Sequence, residues 1–122
     1  IQDRLSPSVI SIADTVGAAD SELVERIFTQ VTNECVDAAV GAHLHVSPLD
    51  GLDKIKAAHR GGCLRIDGAL RGVGGCPMAQ DDLVGNAPTE WIVEWASAKE
   101  LWHPVNPHAL DEGLTMASDL FA

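Results

Sequence analysis

Basic residues are scarce in this chain. Eight lysines and arginines stand against eighteen aspartates and glutamates, a formal net charge of −10. A surface of that sign repels phosphate backbones and anionic lipid, so no nucleic acid and no membrane is expected as a partner. Cysteine is sparse too. Cys35, Cys63 and Cys76 form no C-x-x-C pair, which argues against a disulfide framework and a structural zinc site, and their odd number fits a reducing compartment. No apolar run approaches the roughly 18–20 residues of a membrane span, and an opening that carries Asp3 and Arg4 does not read as a signal peptide. The chain starts on Ile1 rather than methionine, so processing or truncation is expected to have removed its beginning. Internal repeats beyond a strand–helix unit, low-complexity tracts, a Gly-x-Ser-x-Gly elbow and a phosphate-loop signature are also missing.

What is present is one domain's worth of polypeptide, 122 residues with 46% hydrophobic content, enough to bury a core. Val9 to Asp14 reads as a short buried strand. Asp20 or Ser21 caps a helix whose apolar residues Leu23, Val24, Ile27, Phe28 and Val31 share a face. Val40 to Val46 alternates, with Val40, Ala42, Leu44 and Val46 on one side and Gly41, His43 and His45 on the other. A second helix, from about Leu49 to Arg60, uses Leu52, Ile55 and Ala58 and stops at Gly61-Gly62. A third strand, 63–70, delivers a loop over 71–87, and helices occupy 88–122, with Trp91, Trp95 and Trp102 on one core-facing stripe. His59, His103 and His108 are expected on the surface. Strand alternating with helix is an α/β pattern with a parallel sheet. Three strands are too few for a closed parallel barrel, so the chain is part of a barrel or a small open sheet with exposed edges.

Ligands in parallel sheets sit at the carboxyl ends of the strands. Asp14 ends the first strand and His43 and His45 end the second, while Gly74, Gly75, Cys76 and Asn86 lie in the loop after the third. Two histidines on one face of a strand, with Cα atoms roughly 6.5–7 Å apart, can share one metal ion. With an amide or carboxylate oxygen added, they suit an octahedral divalent cation such as Mg²⁺ or Mn²⁺. The bland alternative is a packed, hydrogen-bonded pair of core histidines. Cys76 has its own alternatives: an inert small residue, or the nucleophile of a Cys–His couple acting on a thioester or amide.

Gly74-Gly75-Cys76-Pro77, then Gly85-Asn86 and Thr89-Glu90, preceded by Ile12-Ala13-Asp14-Thr15-Val16-Gly17 and His43-Leu44-His45, resemble the signature of the 3-hydroxy-3-methylglutaryl-CoA lyase family. The likeness in order and approximate spacing runs from about Val9 to Trp95. It implies a (β/α)₈ TIM barrel, of which this chain, as a single partial domain over 1–122, supplies about three strand–helix units and the terminal helix. It implies that His43, His45 and Asn86 are metal ligands, that Cys76 is catalytic in proton transfer, that Asp14 and Thr15 lie near the substrate, and that Glu90 supports the site. It also implies an acyl-CoA thioester substrate, cleaved to acetyl-CoA and acetoacetate, and a cytoplasmic location, or the mitochondrial matrix in a eukaryote. Two departures stand out. Val46-Ser47-Pro48 follows the second histidine where family members often carry aspartate, and the family's Arg-Asp pair of the first barrel strand has no counterpart. A partner is therefore expected, either a missing N-terminal half-barrel or a second copy of the chain. The competing class is a non-catalytic partial barrel.

Overall fold

The computed structural model describes residues 5–75, 84–101 and 105–121. In chain order these form β1 (Val9–Asp14), α1 (Ser21–Glu34), β2 (Ala39–Val46), α2 (Gly51–Arg60), β3 (Arg65–Asp67), a 3-10 turn (Leu70–Gly72), β4 (Gly85–Asn86), α3 (Thr89–Ala98) and α4 (Pro107–Leu120). β2 is the central strand. It pairs in parallel with β1, from Val9 opposite Ala39 to Asp14 opposite Leu44. On its other side it pairs with β3, from Gly41 opposite Arg65 to His43 opposite Asp67.

The period-two pattern of β2 determines where the core lies. Val40, Ala42, Leu44 and Val46 are all at most 3% exposed and join Val24, Phe28, Ile55 and Ala58 in one hydrophobic cluster. Full burial of each larger side chain is worth about 1.5–3 kcal/mol. Two of the four helices, α1 and α4, start where a side chain satisfies their first amides. Leu23 N–H donates to the Asp20 carboxylate at 2.8 Å, and His108 and Ala109 N–H donate to Asn106 Oδ1 at the start of α4. Gly62, with φ +96°, turns the chain out of α2 in a conformation other residues avoid.

Four details depart from the sequence pattern. The apolar run over 63–70 pairs as a strand only at Arg65–Asp67. Cys63 is completely buried, with its N–H donating to Ala58 O in the turn out of α2, and beyond Asp67 the chain pairs with residues 87–89 instead. Leu52 is exposed, and the buried face of α2 is Lys54, Ile55, Ala57 and Ala58. His59 is half-buried rather than on the surface, its ring edge-on to Trp95 at 5.2 Å. Pro88 is the N-cap of α3, one residue before the helix. Trp91 and Trp95 pack against the core, whereas Trp102 and His103 lie outside the described residues. Among the described residues, no helix is long and apolar enough to cross a membrane.

Candidate functional site

Strand parity places His43 and His45 on the face of β2 opposite the core, with ring centroids 5.5 Å apart. β3 stops pairing at His43, so the last turn of β2 has a free side. β4 takes it. Asn86 lies directly opposite His45 in an antiparallel pair, with Gly85 opposite Val46, and a directly opposed pair shares one face of the ribbon. Sequence spacing alone gives the two imidazoles; the forty-residue return of β4 gives the amide beside them.

The amide is held by the glycine loop. Asn86 Nδ2 donates to Val73 O at 2.9 Å, and Asn86 N–H donates to Gly74 O at 2.9 Å. Because Nδ2 is committed as a donor, Oδ1 is the atom of this amide able to face a cation. Gly72 and Gly74 have φ +65° and +92°, and a Cβ on Gly74 would stand 2.9 Å from Asn86 Nδ2. No side chain fits there without moving the amide. Gly75 is exposed, and Cys76 lies outside the described residues.

Other candidate residues are used differently. The Asp14 carboxylate accepts from Ala18 N–H at 3.1 Å and Ala19 N–H at 2.9 Å, and Asp14 is in register with Leu44, on the other face from the histidines. Its carboxylate shapes the turn after β1, in which Thr15 is exposed. Glu90 accepts from Arg71 N–H at 3.1 Å. Arg71 has φ +58°, and its Nε donates to Leu114 O of α4 at 3.0 Å. Glu90 thereby holds the base of the glycine loop in a left-handed turn. A cavity of about 170 Å³ opens beside Asn86, lined by Ser47, Pro48, Arg71, Gly72 and Trp91 among others.

Three residues that the sequence reading passes over belong to this end of the sheet. Lys54 is 2% exposed, and its ammonium reaches Gly17 O at 3.0 Å and Asp50 Oδ2 at 2.9 Å, joining the loops that follow β1 and β2. Burial raises the pKa of Asp50, but hydrogen bonds from Lys54 and Ser47 and the lysine charge outweigh it, so the carboxyl titrates below its ordinary value. Asp67, in register with His43, places Oδ2 3.6 Å from His43 Nδ1. An aspartate at the end of a strand-like run is the sequence signal for it.

The donor set fits a hard-to-borderline divalent cation. His45 is 6% exposed, and its Nδ1 is buried without a hydrogen-bond partner, a state relieved by a proton donor or a cation. Two imidazole nitrogens and one amide oxygen are ligands of the right hardness for Mn²⁺ or Mg²⁺. Among the described residues, no three His, Cys, Asp or Glu side chains converge on one point. The set reaches three only with Asn86 counted, so further positions fall to water, substrate or groups from elsewhere.

Comparison with known proteins supplies a family and a fold. The family model for HMGL-like proteins matches residues 2–116. A 3-hydroxy-3-isohexenylglutaryl-CoA/hydroxy-methylglutaryl-CoA lyase of Pseudomonas aeruginosa is 28% identical over 101 residues, 83% of this chain and 33% of that protein. The (R)-citramalyl-CoA lyase of Chloroflexus aurantiacus is 36% identical over 84 residues, 69% of this chain and 26% of that protein. Among solved structures, an HMG-CoA lyase from Acinetobacter baumannii in complex with coenzyme A and 3-methylmalate superposes with a TM-score of 0.82 at 30% identity, covering 98% of this chain and 39% of that one. The hydroxymethylglutaryl-CoA lyase of Pseudomonas aeruginosa gives 0.79 at 26% identity, covering 94% and 38%. The chain spans about a third or less of the length of the curated relatives it matches.

Proposed function

The chain belongs to the HMGL-like family of lyases, its parallel sheet being part of a TIM barrel, and on that premise we propose that it carries the metal-binding portion of a carbon–carbon lyase acting on acyl-CoA thioesters. The observation that supports this most is the placement of His43, His45 and, opposite His45, Asn86 at the carboxyl end of β2, where TIM-barrel active sites lie. The proposed substrate is 3-hydroxy-3-methylglutaryl-CoA. The tertiary hydroxyl loses its proton, the C2–C3 bond breaks, and the resulting thioester enolate takes up a proton, giving acetoacetate and acetyl-CoA.

His43, His45 and Asn86 would hold the divalent cation, which when bound lowers the pKa of an oxygen it contacts. The chain's own residues do the rest. The glycine loop fixes the Asn86 amide, Glu90 fixes the loop, and Lys54 fixes the mouth between the first two loops. Cys76, next in sequence after Gly75, is the proton carrier for the enolate carbon. The barrel strands and the ligands that this chain does not supply come from a preceding half-barrel or a second copy of the chain.

A second reading rests on the 36% identity to the citramalyl-CoA lyase. The same bond change on citramalyl-CoA gives pyruvate and acetyl-CoA. Assaying both thioesters with Mn²⁺ and identifying the keto acid released separates the two. His43→Ala is expected to abolish Mn²⁺-dependent turnover of whichever is cleaved; unchanged turnover in that variant would remove His43 from the ligand set. Protein that binds no Mn²⁺ and cleaves neither thioester would favour a scaffold.

A further inference from the structure

Asp67 is not needed as a metal ligand, yet it has a defined place. β2 and β3 run parallel with His43 and Asp67 as cross-strand partners, so both side chains leave the same face of the sheet at the same height. The result is a carboxylate oxygen 3.6 Å from Nδ1 of His43, within ion-pair distance. Asp67 makes no other ion pair among the described residues. A neutral imidazole carries one proton, and a carboxylate beside one nitrogen draws it there. The other nitrogen is then left as an acceptor.

We propose that Asp67 is a positioning residue for His43: it holds the imidazole in the Nδ1–H tautomer and fixes the ring, so that Nε2 is the atom presented at the site. This rests on the reading of His43 as a ligand, since a carboxylate behind a ligand histidine sets its tautomer and raises its basicity. His45 is served differently. Its Nδ1 has no partner, so within the pair it is His43 that is oriented from behind.

The experiment is long-range ¹H–¹⁵N correlation on histidine-labelled protein without metal, at a pH where imidazoles are neutral, followed by Mn²⁺ titration of the same samples. In the wild type, His43 is expected to show a protonated Nδ1 and an unprotonated Nε2. Asp67→Ala should shift that balance toward Nε2–H and weaken Mn²⁺ binding by about 10–100-fold. Asp67→Asn keeps an acceptor oxygen, guards against loss of folding in the alanine variant, and should retain most of the tautomer bias. A wild-type His43 protonated on Nε2, or the same tautomer in Asp67→Ala, would overturn the proposal. The tautomer shift in Asp67→Ala, together with wild-type protein that binds no Mn²⁺, would count against the cation reading while upholding the action of Asp67 on His43.

Discussion

Gly74 shows how narrowly one residue can be specified. Its φ of +92° disfavours any side chain, and a Cβ would press on the Asn86 amide at 2.9 Å. Gly74→Ala is expected to cost about 1–3 kcal/mol of stability, read from urea midpoints, and to lower Mn²⁺ affinity at least tenfold in a titration, because the amide must move. Cys63 makes the opposite kind of prediction. Burial pushes its thiol pKa up, and its Sγ lies 3.0 Å from Arg65 O. In native protein at pH 8, iodoacetamide should modify the half-buried Cys35 well before Cys63, as mapped by peptide mass spectrometry; Cys63 should react only after denaturant is added. The glycines were legible in the sequence as part of the loop after the third strand. That Gly74 packs on the side chain of Asn86 was not, because the two lie twelve positions apart in the chain.

At the scale of elements, the loops at the carboxyl end of the sheet are joined by a buried lysine. Lys54 looks like a solvated helix residue in the sequence, one step from the apolar Ile55, and the approach of Gly17 O together with Asp50 accounts for its burial. The pair it forms with Asp50 has a pH signature. The folded-state pKa of Asp50 is lowered from 3.8, so the unfolded chain binds more protons near that pH and stability increases with pH there. The contribution is complete above the ordinary value and disappears as the pH falls through the lowered one. Urea midpoints measured from pH 6 to about 2 should therefore show an acid limb that is shallower in Asp50→Asn. Helix starts were readable because caps are local: Asp20 and Asn106 act within three residues. Strand length was not. The run over 63–70 reads as one strand by its apolar residues, but pairing requires a neighbour, and β2 offers β3 one only as far as His43.

For the whole molecule, the proposed site would couple binding to folding. A cation held by residues from β2 and β4 would bind the native state alone, and at about 100 times its dissociation constant it would add about 2.7 kcal/mol of stability. Wild-type protein should therefore melt several degrees higher in Mn²⁺, by calorimetry, and His45→Ala should lose that rise. The sheet also has a shape consequence. β1 and β3 each pair on one side only among the described residues, both with β2, and unpaired parallel edges invite further strands. Sedimentation is expected to show concentration-dependent association of this chain, suppressed when the barrel strands missing from it are supplied.

The sequence by itself determined the alternation of strand and helix, the Val40–Val46 strand, the shared face of His43 and His45, and the family. Those features depend on periodicity, capping and motif order, which act over a few residues. The tertiary structure decided what lies across from what: Asn86 opposite His45, Asp67 beside His43, Glu90 on the base of the glycine loop, Lys54 on Gly17. Each of these is a contact between segments well separated in the chain, and register between strands is set by the packing of the whole sheet rather than by any stretch of it.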